Sequence, residues 1–207
     1  MTNSTENFLP AQYQETGRHP INHNYLKRQF ADHGAIFAAF EELLQNTDFT
    51  LGKAVDEFEA RICELTGAAH CIGVGNGTDA IFLSLKAAGI GPGDEVITTP
   101  HTFFATVGAI VTAGARPVFA DIGPDMNLDP QRVAEVVSER TRAIVPVHWA
   151  GLPCDMDALG AIAERHQLAI VEDACHALCA TYKGRPAGRL GTAGCFSMHP
   201  LKNLNVW

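Results

Sequence analysis

From about residue 70 onward, apolar runs of strand length alternate with stretches whose apolar residues recur at helical spacing. No other feature of the chain narrows its fold as much. "HCIGVG", "EVITTP", "RPVFADI", "RAIVPVHWAG", "LAIVEDA" and "AGCFSM" read as strands, and "TDAIFLSLKAAGI", "FFATVGAIVTAG", "DPQRVAEVVSE" and "DMDALGAIAERHQ" as the helices between them. Strands that are apolar along their whole length are buried on both faces. The expected fold is therefore α/β, a mainly parallel sheet with helices on both faces. Upstream, "DHGAIFAAFEELLQ" and "KAVDEFEARICELTG" carry helical spacing, with Gly67 as a stop. Residues 1–20 are polar and read as a flexible tail ahead of one domain over residues 21–207.

A chain of 207 residues can bury one sizeable core. Its formal net charge of -8 argues against a nucleic-acid partner, which needs a basic face, but permits a local basic pocket for an anion. No apolar run is long enough to span a bilayer, so no membrane role is expected. The N-terminus lacks the basic start and apolar stretch of a secretory signal. Six cysteines show no CxxC pair and several sit inside apolar runs, which points to reduced thiols in a cytoplasmic protein and no metal site.

Open parallel sheets bind ligands beyond the carboxyl ends of their strands. The segments to weigh are thus "GNGTD", "PHTFFAT", "VHWAGLPCD", "EDACHA" and "SMHPLKN". "GVGNGTDA" is a glycine-rich turn in which Gly75 and Gly77 let the backbone turn tightly and Thr78 opens a helix; backbone N–H groups and a hydroxyl there suit a phosphate. It reads equally well as an ordinary capped turn, and its spacing is not that of a dinucleotide fingerprint. Asp173 closes an apolar strand, where a carboxylate needs a cationic or N–H partner. A helix cap or an internal arginine would serve as well as a ligand. His176 could hydrogen-bond a ligand oxygen, and Phe103 or Phe104 could stack on a planar ring, although singly each reads first as structure. Ser197 could donate to a phosphate, and Lys202 could form a Schiff base. Taken together, an anion cradle, an aromatic plate, a strand-end carboxylate and a lysine nucleophile are what pyridoxal phosphate requires.

These segments, with "FTLGKAVDEFE", "PVFADI" and "GCFSMHPLKNLNVW", resemble the DegT/DnrJ-type nucleotide-sugar aminotransferase family of fold-type I pyridoxal-phosphate enzymes, from about Leu26 to Trp207. The resemblance implies Lys202 as the Schiff-base lysine, Asp173 as partner of the pyridine nitrogen, His176 beside the ring oxygen and Phe103 as the stacking aromatic. Gly77, Thr78 and Ser197 then contact the phosphate. It implies amino transfer, from glutamate in the expected case, to a keto group of a nucleotide-linked sugar in polysaccharide or sugar-derivative biosynthesis, by a homodimer. Some relatives carry histidine in place of the lysine and dehydrate sugars; Lys202 argues against that subclass. Family members continue past the lysine into a smaller C-terminal domain, so this chain is expected to hold the large domain without the small one and to be inactive alone. Two rivals stand beside this reading. One is a regulator that binds the cofactor without catalysis. The other is a dinucleotide-binding domain, which Asp94 and Glu95 would favour but which leaves Lys202 and Asp173 without a use.

Overall fold

The computed structural model describes residues 26–206; the expected tail over residues 1–20 lies outside them. The chain divides into two units, Met1–Phe40 and Glu41–Trp207. In the first, a short helix α1 (Leu26–Gln29) precedes the start of α2 (Gly34–Asn46), and His33 packs edge-on against Phe37 with ring centroids 5.3 Å apart.

The second unit holds the sheet. Helix α3 (Lys53–Thr66) ends where the alternation reading put its stop: Gly67 adopts φ 68 and its N–H donates to the Cys63 carbonyl. A residue with a Cβ is strained in that left-handed conformation. Then follow α4 (Gly77–Ala87), β1 (Glu95–Thr98), α5 (Phe104–Thr112), β2 (Arg116–Phe119), α6 (Pro130–Val136), β3 (Thr141–Ile144), α7 (Met156–His166), β4 (Ala169–Asp173), a small hairpin of β5 (Thr181–Tyr182) and β6 (Arg185–Pro186), and β7 (Ala193–Cys195). Five strands pair in the order β2-β1-β3-β4-β7, all parallel.

Both faces of the sheet are covered, and the strands show why they had to be apolar throughout. Successive side chains of a strand point to opposite faces. Val96, Ala143 and Val171 pack with Ile81 and Leu85 of α4 and Ala109 and Ile110 of α5. Their neighbours Ile97, Ile144 and Ile170 pack on the other side with Val133 of α6 and Leu159 of α7.

Three features depart from the sequence reading. "HCIGVG" forms no strand: its backbone has no ladder partner among the described residues, the Gly73 N–H donates instead to Glu59 Oε1 at 2.6 Å, and Ile72 is 78% exposed. β-propensity makes a strand only where a neighbouring strand supplies hydrogen bonds. The expected strand "RAIVPVHWAG" is regular only to Ile144, because Pro146 has no N–H to give; pairing resumes as one bridge between Val147 and Asp173. The β5–β6 hairpin was not expected. Its turn residues, Lys183 (φ 50) and Gly184 (φ 78), are both left-handed, as a tight hairpin demands. It is tied to α7 by Tyr182 Oη donating to Asp155 and Arg185 donating to Asp157.

At the amino ends of the strands, buried Glu95 accepts hydrogen bonds from Ser138 Oγ (2.6 Å), Arg140 Nε (2.8 Å) and Arg116. The Ser138 hydroxyl first, and Arg116 next, hold its carboxyl down to about 2 from an ordinary 4.5. A carboxyl depressed by folding contributes stability above its unfolded value and loses it as pH falls through the folded one. Glu95→Gln should therefore flatten the acid limb of the stability curve between about pH 4.5 and about 2. Parallel denaturation series across that range test it; identical slopes for the two proteins would reject the assignment.

Candidate active site

Asp173 is the last residue of β4, and the sheet fixes its backbone on both sides. Its N–H donates to the Pro146 carbonyl at 2.9 Å and its carbonyl accepts from His148 N at 3.1 Å. The side chain is 6% exposed. Oδ2 accepts from Thr106 Oγ1 at 2.6 Å, and Oδ1 from the Cys175 N–H at 3.2 Å. Among the described residues no cation pairs with it. A buried carboxylate served by two neutral donors still lacks a counter-charge.

The start of α4 lies against the same strand end. A Cβ built on Gly77 would sit 2.9 Å from Cys175 Sγ and 3.0 Å from Ser197 Cβ, closer than side chains approach, so only glycine lets this helix end come so near β4 and β7. Asn76 caps the helix by accepting from the Asp79 N–H at 2.9 Å. The N–H groups of Gly77 and Thr78, the first two of the helix, have no acceptor among the described residues, and Thr78 is exposed. Ser197 is half-buried; its Oγ accepts from the His199 N–H at 3.3 Å, which leaves its own proton free to donate.

Lys202 follows in a compact turn, its N–H donating to the His199 carbonyl at 2.8 Å. Neighbours hold the turn: Asn203 Nδ2 donates to the Leu178 carbonyl at 2.6 Å, Asn205 Nδ2 to the Lys202 carbonyl at 3.2 Å, and Val206 N to the Met198 carbonyl at 2.8 Å. Lys202 Nζ makes no hydrogen bond or ion pair among the described residues, and the side chain is half-buried. Its charge reaches the strand-end cluster. Burial first, then Lys202, lower the basicity of His176, against the opposing pull of Asp173. Burial and Asp173 push the Cys175 thiol far up, and Lys202 works against them. His176 is thereby favoured as the neutral ring, with one N–H and one lone pair.

Of the seven sequence-derived residues, the structure brings Gly77, Ser197, Asp173, His176 and Lys202 to one end of the sheet through these contacts. Thr78 lies on the exposed side of the same turn. Phe103 stands at the N-cap of α5, 59% exposed, its ring 4.4 Å from that of Phe104.

Several neighbours escaped the sequence reading. Thr106 is one. His148 and Glu172 are others, both fully buried and 2.9 Å apart. His101 lies tilted against Trp149 with ring centroids 4.2 Å apart, and Trp149 meets His176 edge-on at 5.6 Å. Asn127 Oδ1 accepts from the Trp149 N–H and so holds this row in place. The available signals were a glutamate inside an apolar strand and two histidines at strand ends. A cavity of about 460 Å³ beside Arg116 and Arg140 lies at the opposite end of β1 and belongs to the Glu95 network.

A family model described as the DegT/DnrJ/EryC1/StrS aminotransferase family matches residues 31–207. A pleiotropic regulatory protein of Geobacillus stearothermophilus is 50% identical over 173 residues, covering 83% of this chain and 46% of the relative. The UDP-2-acetamido-2-deoxy-3-oxo-D-glucuronate aminotransferase of Pseudomonas aeruginosa is 40% identical, covering 83% of this chain and 48% of the relative. Among solved structures, S. venezuelae DesV in complex with a ketimine intermediate is 41% identical with a TM-score of 0.83, covering 88% of this chain and 50% of that one. Other solved relatives are in a PLP form and with bound PMP cofactor. The chain spans about half the length of the curated relatives it matches.

Proposed function

The chain belongs to the DegT/DnrJ/EryC1/StrS aminotransferase family, and from that premise we propose that it binds pyridoxal phosphate and serves amino transfer from glutamate to a keto group of a nucleotide-linked sugar, in polysaccharide or sugar-derivative biosynthesis. The observation that carries the reading is Asp173, buried at the end of β4 with no ion-pair partner among the described residues, while Lys202 and the start of α4 lie at the same end of the sheet. A protonated ring nitrogen would supply the missing positive partner.

The residues fit the group. Gly77 and Thr78 N–H groups, at the positive end of α4, and the Ser197 hydroxyl would hold the phosphate. Asp173 would hold the proton on the ring nitrogen, His176 would donate its N–H to the ring oxygen, and Phe103 would cover one ring face. When bound, pyridoxal phosphate supplies an aldehyde that bonds amines and a cationic ring that accepts electrons. Lys202 Nζ would anchor the group and, once a donor amine displaces it, take the proton from the donor's α-carbon and return it.

In this reading, residues 21–207 form one cofactor-binding domain of a cytoplasmic homodimer. The free state of all six cysteines supports the cytoplasm. Exposed Phe104 and Val111 on α5 offer apolar surface to a second copy. The name of the Geobacillus relative supports a second reading, a cofactor-binding regulator. The test separates the two. The protein, its chain continued to the length of its relatives and made with and without Asp173→Asn, is titrated with pyridoxal phosphate by visible absorbance and assayed for glutamate-dependent amino transfer. The variant should keep much of the binding and lose on the order of 100-fold in turnover. A fully active variant rejects the role of Asp173, and binding with no turnover in the unaltered protein of its relatives' length selects the regulator.

A further inference from the structure

We infer that Thr102 and Thr106 form a one-way hydroxyl relay that fixes Asp173 as an acceptor for the cofactor's ring nitrogen, with Thr106 as a positioning residue. The inference rests on the cofactor reading above.

Thr106 lies in the first turn of α5, 1% exposed, and its Oγ1 is 2.6 Å from Asp173 Oδ2. Thr102 Oγ1 lies 2.8 Å from Thr106 Oγ1. Thr106 has a single hydroxyl proton, and an ionised carboxylate only accepts. That proton therefore points at Asp173. The Thr106 oxygen must then accept, so Thr102 donates. The direction of the chain is set: Thr102 to Thr106 to Asp173.

Deeper in a helix a buried hydroxyl commonly turns back to a carbonyl of the preceding turn. Thr66 does so here, donating to Ile62 O at 2.7 Å. Thr106 instead reaches a strand end 67 residues away. With Cys175 N–H on the other oxygen, each carboxylate oxygen holds one protein donor. Each oxygen keeps a further lone pair, so the carboxylate can accept from a protonated ring nitrogen while the two donors hold it in place. The relay also brackets Phe103, so the aromatic plate and the ring-nitrogen partner are tied to one hydrogen-bonded segment.

The test uses the cofactor-loaded protein, its chain continued to the length of its relatives, as Thr106→Val, Thr106→Ser and Thr102→Val. Pyridoxal phosphate isotope-labelled at the ring nitrogen reports protonation by NMR; steady-state kinetics and a thermal midpoint run alongside. Thr106→Val should move the ring-nitrogen signal toward its unprotonated position and lower kcat roughly 10- to 100-fold with KM nearly unchanged, the scale of one hydrogen bond to a charged group. Thr106→Ser should restore both. Thr102→Val, at a half-buried site, should move both in the same direction by less, and it keeps the comparison should the Thr106 variant unfold. An unchanged ring-nitrogen signal in folded Thr106→Val, or in Thr102→Val where the former is unfolded, overturns the relay alone, as does a serine variant as impaired as the valine one. An unaltered chain that takes up no pyridoxal phosphate removes the cofactor reading and the relay's role with it.

Discussion

In the protein continued to the length of its relatives, Lys202→Ala is expected to abolish measurable amino transfer while leaving the fold intact. The turn that carries Lys202 is held by its backbone and by Asn203, Asn205 and Val206, not by its own ammonium group. Truncating the side chain therefore removes no fold contact of Nζ. What it removes is the amine whose charge bears on His176 and Cys175, the residues that follow Asp173. Loss of a positioned acid–base group alone lowers rates by about 100- to 10,000-fold, and loss of the anchoring amine adds to it. Single-turnover assays with glutamate, beside a thermal midpoint, measure both halves of the expectation. Retention of turnover within about threefold, well inside that range, would contradict it.

The second large effect falls on stability. Glu172 precedes Asp173 in β4 and points the other way, into the interior. It accepts four hydrogen bonds: from the N–H groups of Gly188 (2.8 Å), Leu190 (2.6 Å) and Gly191 (2.7 Å), and from His148 Nε2 (2.9 Å). The histidine tautomer follows from its other nitrogen. His148 Nδ1 accepts the Cys154 N–H at 3.2 Å, so the ring proton is on Nε2 and is donated to Glu172. One carboxylate thus fastens the turn at 188–191 and the loop at 148–154 to the strand that ends in Asp173. Glu172→Leu would match the volume approximately and leave four donors unpaired, that of His148 buried and the three N–H groups half-buried. Each such donor costs about 1 to 3 kcal/mol, so the loss should exceed about 3 kcal/mol. Denaturant titration reads it as a shifted midpoint. A loss below about 1 kcal/mol, less than a single unpaired donor should cost, would show that water or a neighbour replaces the carboxylate.

Much of this site was legible because the sheet itself makes it legible. An apolar strand that ends in a carboxylate identifies Asp173, and a glycine pair between an apolar stretch and a helix identifies Gly77. Both rest on local chemistry that the fold then uses. The partners of Asp173 were not legible. Thr106 reads as an ordinary small residue in an apolar helix, and nothing local says that its hydroxyl meets a residue on another strand. Glu172 carried a signal, a charge inside "LAIVEDA", but its four donors come from two distant loops. "HCIGVG" misled for a different reason: its composition suits a strand, while strand formation depends on a neighbour that local composition does not reveal. The hairpin was missed although Lys183-Gly184 offered a turn signal, because strands of two residues are too short for any periodicity.

Three of the five lysines are held by protein groups: Lys86 Nζ donates to the Ile90 carbonyl at 3.2 Å, Lys183 pairs with Asp157, and Lys53 pairs with Glu57. Lys27 and Lys202 have no side-chain partner among the described residues; Lys27 is exposed, whereas Lys202 is half-buried and its charge bears on His176. The most direct test of the proposed function is to incubate the chain with pyridoxal phosphate, reduce with borohydride, digest, and locate the pyridoxyl mark by mass. The account expects it on Lys202. A mark on Lys86 or Lys183 with none on Lys202 would contradict it.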